Sequence, residues 1–340
     1  MMQRERLHEL LSSFPSRRVA VMGDFCLDVY WHAEMTRARL SRETPRFPLP
    51  VVRETFSAGG AANVAWNVAE LGVGTVEAIA LFGDDWRGRE LRRLLDERHG
   101  VDLHRVVTAP DRVTPAYAKP IRHGFHSEQE DSRLDFINVA PAPPALEDQV
   151  LAGLADSLPG LDALIVADQL DGGLLSPRVR ERLLALAADH PDVVVLVDSR
   201  QHIGAFPGVH LKPNELEAAR AVHPHIAPGD ITDDVLRDCG RRLAALAGKP
   251  VFLTIGERGI LVFDGDRCHP VPGYPQEPPL DIVGAGDTCI AALAAALAAG
   301  ASPAEAADLA CLAASVTVRK LGITGAASPA ELRTRLDDTA

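Results

Sequence analysis

Short, uninterrupted apolar runs alternate with longer amphipathic ones through most of this chain, and that alternation constrains its fold more than any other feature. Residues 18–22, 76–82, 163–167, 193–197, 209–211 and 251–255 are dominated by Val, Ile, Leu and Ala. Strands of this kind are buried on both faces. Residues 62–71, 87–97, 178–188, 234–247 and 288–299 read as helices between or after them. Alternating strands and helices with apolar strands imply an α/β fold, a mostly parallel sheet covered by helices on both sides. Two segments break the pattern. Residues 29–55 carry Pro45, Pro48 and Pro50 among many arginines, and 113–138 alternate polar with apolar residues. Both read as partly exposed antiparallel strands inserted near early strand ends, and together they would form one small sheet over the main body, a lid.

Bulk properties narrow the function. The chain has 340 residues, 46% of them hydrophobic, enough for one large α/β domain, and 1–340 is read as a single domain. A formal net charge of -12 at pH 7 disfavours nucleic acid and anionic membranes as partners. Cys26, Cys239, Cys268, Cys289 and Cys311 are scattered and form no CxxC pair, which suits a reducing compartment. The charged N-terminus leads into only a short apolar run, 19–22, so no signal peptide is expected. The longest apolar stretch, 290–299, is too short to span a bilayer. A cytoplasmic protein is the expectation.

The string Asp281-Ile-Val-Gly-Ala-Gly-Asp287 precedes a helical run. Small residues there let backbone N–H groups approach a ligand, and the helix N-terminus adds about half a positive charge. Such a turn can hold phosphate oxygens while Asp287 accepts a proton from an attacking hydroxyl; it can equally be a Gly-rich turn with Asp287 as a helix cap. Gly59-Gly60-Ala61-Ala62-Asn63 also opens a helix, with an amide able to meet a polyol or simply to enter the helix. Lys212-Pro213-Asn214-Glu215-Leu216-Glu217 sets Asn214 and Glu217 three apart, suited either to waters around Mg²⁺ or to an ordinary helix start. Thr254-Ile255-Gly256-Glu257-Arg258-Gly259 suits a nucleotide phosphate or a plain hairpin. No GxxxxGK[ST] occurs, no GxGxxG follows the first strand, and GxSxG and HExxH are missing. His223 with His225, and His123 with His126, lack a third metal ligand in sequence and read as exposed loop and strand residues.

In this order and spacing, these strings resemble the PfkB (ribokinase-like) carbohydrate kinases over about 18–332. Gly59 to Ala65 is similar to that family's N-terminal signature, Asp281 to Asp287 to its C-terminal one, and Asn214 to Glu217 to its NxxE motif. The resemblance implies a ribokinase-like three-layer α/β/α fold with a small β-sheet lid. It implies Asp287 as catalytic base and Gly284, Ala285 and Gly286 as anion hole. Asp28, Gly59, Gly60 and Asn63 would bind sugar hydroxyls. Lys212, Asn214, Glu217, Thr254, Gly256 and Gly259 would serve Mg-ATP, with Glu217 on Mg²⁺ through water and Asp281 near a K⁺ ion. The implied partner is a small sugar or sugar phosphate, and a homodimer through the lid is expected.

A narrower resemblance is to the heptose-7-phosphate kinases, carried by residues 23–31, Arg133-Leu-Asp-Phe136, Lys320-Leu-Gly322 and Ser328-Pro329. Bifunctional members of that family add a nucleotidyltransferase domain with an HxGH motif; no such motif occurs here, so a kinase activity alone is implied. Arg37, Arg39, Arg42, Arg46 and Arg53, with Lys119, Arg122 and Arg133 on the second segment, stand out in so acidic a chain. Arginine forks suit phosphate, so these residues suggest that the lid meets an anion, with Lys119 and Arg133 as substrate ligands; they can instead protect exposed strands from edge pairing. Kinases of fructose, ribose, 2-keto-3-deoxygluconate or adenosine, and a non-catalytic sensor, remain alternatives.

Overall fold

The computed structural model describes residues 2–322 and 324–339. Its centre is an eight-stranded sheet. From one edge to the other the strands are Arg267–Pro272, Gly259–Asp264, Val251–Thr254, His210–Leu211, Val194–Ser199, Ala163–Asp168, Arg18–Gly23 and Thr75–Ile79. The strands from Val251–Thr254 to Thr75–Ile79 pair in parallel, and a hairpin adds the two antiparallel edge strands. Period-two alternation then builds two cores. Val19 and Val21 face a cluster made with helices Ala61–Glu70, Ala285–Ala298 and Pro303–Thr317. Ala20 and Met22 face another, made with Pro144–Ser157, Pro177–Asp189 and Asp233–Ala247. Strand Ala163–Asp168 divides the same way, Ile165 to one cluster and Val166 to the other. This is why its residues, like most of the parallel core, read as unbroken apolar runs. No described helix is long and apolar enough to cross a membrane.

Two inserted segments form a second, five-stranded sheet from Phe25–Glu34, Val51–Gly60, Ala116–His123, Glu128–Glu130 and Leu134–Phe136. Its pairing is not all antiparallel, as the sequence suggested: Phe25–Glu34 pairs with Ala116–His123 in parallel. The chain between them passes through the helices Ala61–Glu70 and Trp86–Arg93 and the main-sheet strand Thr75–Ile79, a crossover long enough to bring the second strand in at the same end. The run 76–82 is also not one strand. Thr75–Ile79 belongs to the main sheet and Leu81–Gly83 pairs with Val107–Ala109 in a separate two-stranded one, with Ala80 as the break. Arg37, Arg39, Arg42 and Arg46 lie outside regular strands, in the exposed stretch between Phe25–Glu34 and Val51–Gly60.

Candidate active site

Helix Ala285–Ala298 begins at Gly284, whose φ of 82° is left-handed and suits glycine. A Cβ at Gly284 would stand 3.2 Å from the Asn63 side-chain nitrogen, whereas one at Gly286 would meet nothing within 4 Å. The first turn therefore packs tightly on one side and opens on the other. No side chain caps it; Ala285 N donates to the Ile282 carbonyl at 3.2 Å, and the helix end keeps its positive polarity toward an anion. Asp287 sits in this first turn, half-buried.

Asp287 is held by a chain of buried hydrogen bonds. Asn63 Nδ2 donates to its Oδ2 at 2.6 Å. Asn67 Nδ2 donates to the Asn63 carbonyl at 2.9 Å and to Asn63 Oδ1 at 3.2 Å. Thr288 Oγ donates to Asn67 Oδ1 at 2.6 Å and lies 3.0 Å from Thr317 Oγ. Asn63 and Asn67 are fully buried, one turn apart on the helix that follows Gly60. Asn63 thus meets the carboxylate of Asp287 directly, where the sequence suggested a sugar hydroxyl. Burial raises the Asp287 carboxyl to about 6, the Asn63 hydrogen bond pulls it back, and the charge of Asp198 adds to the rise. A carboxylate with that pKa is ionised at neutral pH yet basic enough to accept a proton.

A cleft of about 680 Å³ runs from Asp287 along the C-terminal ends of the parallel strands, the usual place for a ligand in an open α/β sheet. Its walls include Lys212, Asn214, Glu217, Thr254, Gly256 and Gly259, and Gly284 to Asp287 close one end. Asn214 and Glu217 form a reciprocal capping box: Glu217 N donates to Asn214 Oδ1 at 2.9 Å and Asn214 N to Glu217 Oε2 at 2.8 Å. The helix-start reading of this motif is therefore correct, and the cap also holds the Glu217 carboxylate at the cleft wall. Burial first, then Asp198, raise that carboxyl to about 7. Lys212, 3% exposed, pairs with buried Asp198 at 3.1 Å. Burial works against the ammonium, but Asp198, Cys289 and Glu217 together outweigh it and the Lys212 pKa rises. Thr254 Oγ donates to the Pro213 carbonyl at 3.3 Å. Gly256 (φ 61°) is open toward the cleft, while Gly259 is glycine for packing, since a Cβ there would strike the Val271 carbonyl at 2.2 Å. Asp281 turns each oxygen onto a backbone amide, of Val283 at 3.0 Å and Gly322 at 3.1 Å.

Beyond Asp287 lies the polar face of the five-stranded sheet. The cross-strand register puts Asp28, Tyr117 and Ser57 on this face, with Tyr30, Lys119 and Thr55 in the next rung. Lys119 Nζ is 3.4 Å from the Asp28 carboxylate and 3.3 Å from Tyr30 Oη. A Cβ on Gly59 would stand 3.2 Å from the Asp28 carboxyl carbon, so glycine leaves room for that buried carboxylate. Gly60 (φ 55°) faces the Asp24 carbonyl instead. Arg133 stacks 4.4 Å over the Tyr117 ring, pairs with Asp135 at 2.6 Å and feels the charge of Asp28. Arg122 lies on the opposite face, paired with Asp131. His123 stacks on His32, with ring nitrogens 3.0 Å apart, while His126 is exposed and His223 pairs with Asp238. No group of three or more metal-binding side chains occurs among the described residues.

Several residues at the site carried no signal in sequence. Asn67, Thr288 and Thr317 look like ordinary helix residues until tertiary packing buries them together. Asp198, at a strand end, becomes notable only beside Lys212. Arg200, two residues on, also lines the cleft. Asp24 is buried, and its carboxylate accepts from the amides of Gln169, Leu170 and Leu174. Burial raises its pKa to about 6 against those three bonds.

Comparison with known proteins agrees with this arrangement. The chain matches the model of the pfkB family carbohydrate kinases over residues 26–127 and 170–330. It is 34% identical over 336 residues to the bifunctional protein HldE of Hyphomonas neptunium, covering 97% of this chain and 66% of that protein. The HldE protein of Rhodospirillum rubrum is 32% identical, covering 96% of this chain and 63% of its own length. The chain thus spans slightly less than two thirds of these relatives. Among solved structures, Arabidopsis thaliana ribokinase complexed with ribose and ATP superposes with a TM-score of 0.72 at 20% identity, covering 94% of this chain and 98% of that one. Tetrameric phosphofructokinase-2 from Escherichia coli superposes at 0.74 with 21% identity, covering 95% and 99%.

Proposed function

We propose a specific reaction on the following premise: this chain belongs to the pfkB family of carbohydrate kinases and is a sugar kinase. The reaction is transfer of the γ-phosphoryl group of ATP to a hydroxyl of a sugar that already carries a phosphate, with heptose 7-phosphate as the first candidate. Asp287 takes the hydroxyl proton, the hydroxyl oxygen bonds to the γ-phosphorus, and the bond to the β–γ bridging oxygen breaks to release ADP. The positively polarised helix entrance at Gly284 to Gly286 receives the charge that builds on the transferred group.

The observation that carries this reading is the place of Asp287: a carboxylate raised to about 6, in the first turn of an uncapped helix, at the end of the cleft. Support for a phosphorylated sugar comes from Lys119 and Arg133, which share the polar face of the five-stranded sheet with Asp28, and from the resemblance to heptose-7-phosphate kinases. In this reading that sheet is a lid over the sugar.

The donor set suits Mg²⁺. Asp198 and Glu217 place two carboxylates near the single ammonium of Lys212, so the ionised cluster carries more negative than positive charge. Glu217, through water, would hold the ion, which would neutralise phosphate charge. Asp281, whose oxygens each hold one amide, keeps lone pairs for K⁺.

The test is ADP release measured with heptose 7-phosphate, fructose 6-phosphate, fructose, ribose, 2-keto-3-deoxygluconate and adenosine. The phosphorylated sugars should turn over fastest, heptose 7-phosphate foremost. A response confined to uncharged sugars would remove the role given to Lys119 and Arg133.

A further inference from the structure

Two basic residues line the cleft, Lys212 and Arg200. Lys212 is buried and committed to Asp198. Arg200 is exposed, and its one side-chain hydrogen bond among the described residues is to a neutral group: Nη2 donates to Gln169 Oε1 at 3.2 Å. Its backbone, by contrast, is fastened on several sides. Arg200 N donates to the Asp168 carbonyl at 2.9 Å. Ser199 Oγ donates to Asp168 Oδ2 at 2.6 Å and accepts from His202 N at 2.9 Å. The His202 ring closes the turn 3.1 Å from the same Asp168 oxygen. A rigid root thus carries a guanidinium whose charge no carboxylate among the described residues neutralises at contact distance.

Its position joins the two ends of the site. The Arg200 charge reaches Glu217 at the nucleotide end, and also Cys26 and Tyr117 on the five-stranded sheet, close to Asp28. A phosphoryl group in transfer must cross that interval, and it carries its charge on equatorial oxygens that a planar fork can hold.

We infer that Arg200 is a catalytic residue that contacts the transferred phosphoryl group, supplying from the strand end the positive charge that the helix amides supply from the opposite side. The inference rests on the transfer from ATP proposed above. Neither the proton taken by Asp287 nor the P–O bonds made and broken change; Arg200 lowers the charge of the group while those bonds exchange.

The experiment compares wild type, Arg200→Ala and Arg200→Lys by steady-state ADP release with the best sugar, and by titration calorimetry with ATP and ADP. Because the side chain is exposed, thermal melting should be unchanged. Arg200→Ala should lower kcat by about a hundredfold to a thousandfold while the sugar KM moves less than about threefold, and Arg200→Lys should recover part of the loss. ATP affinity should fall more than ADP affinity, because only ATP carries the group. The inference is overturned if kcat stays within about threefold of wild type. It is equally overturned if ATP and ADP lose affinity alike, which would put Arg200 on the α- or β-phosphate, or if the sugar KM rises at constant kcat, which would put it on the substrate's own phosphate. Failure of the proposed reaction looks different: wild type itself releases no ADP with any sugar, and the ATP-against-ADP comparison still decides the role of Arg200.

Discussion

The two halves of the site are stabilised by different physics. Around Asp287 the polar groups are buried, mostly neutral and bonded in series, from Asn63 through Asn67 to Thr288 and Thr317. On the five-stranded sheet the groups are charged and graded in exposure: Lys119 against buried Asp28, Arg133 against Asp135 nearer solvent. A buried network costs the full desolvation of any partner left unpaired, so it admits one geometry. An exposed ion pair such as Arg133 with Asp135 is weak and can exchange partners, which suits a surface that must trade a carboxylate for a ligand's phosphate, while Lys119 holds its charge beside Asp28. The contrast separates a half built to hold one carboxylate in place from a half built to accept an anion.

The sharpest way to break the comparison is at its rigid end. Asp287→Asn should lose about a hundredfold to ten-thousandfold in kcat with folding intact, measured by ADP release. Asn63→Ala should cost about tenfold in kcat and also move the acid limb of the pH–rate profile. Asn63 holds the Asp287 pKa down, so without it the limb should shift to higher pH; an unchanged limb would mean that the bond does not tune the base. At the adaptable end, Lys119→Ala should raise the KM for a phosphorylated sugar about tenfold and leave kcat nearly alone. Similar losses with an uncharged sugar would show that Lys119 serves only to steady Asp28.

A subtler difference lies in stability. The Asp287 carboxyl titrates near 6 in the folded chain and at 3.8 when unperturbed. Between those values the folded state binds the proton that the unfolded state has released. This group's contribution to stability therefore falls as pH rises through that window and stays lowered above it. Asp287→Asn should accordingly gain on the order of 1 kcal/mol at pH 8 relative to wild type and little at pH 4, read by denaturant melts. The smallest effect belongs to the outer arginines. Replacing Arg37, Arg39, Arg42 and Arg46 with alanine should change kcat/KM by less than about twofold at physiological salt, because exposed charges away from the site are screened. A larger loss would bring that loop into the substrate site.

Much of this molecule was legible before folding because its information is local. Apolar runs announced the parallel core, since a strand buried on both faces has no polar alternation to hide it. The Gly-Ala-Gly-Asp turn was legible because a left-handed Gly284 and a close helix entrance demand small residues in order. The parallel pairing inside the five-stranded sheet was not, because strand direction is set by the crossover rather than by residues in either strand. Nor was the break at Ala80, which divides one apolar run between two sheets.

By itself, then, the sequence determined the layered α/β class, the glycine turns and the carboxylate at the head of a helix. These depend on spacing along a few residues. Tertiary structure alone decided that Asn63 serves Asp287, that Asp198 holds Lys212, that Arg122 and Lys119 face opposite ways, and that Arg200 stands at the cleft bonded to a neutral amide. Each is a pairing between groups far apart in the chain, or a facing set by strand register, and only closure of the fold brings the partners within hydrogen-bonding reach.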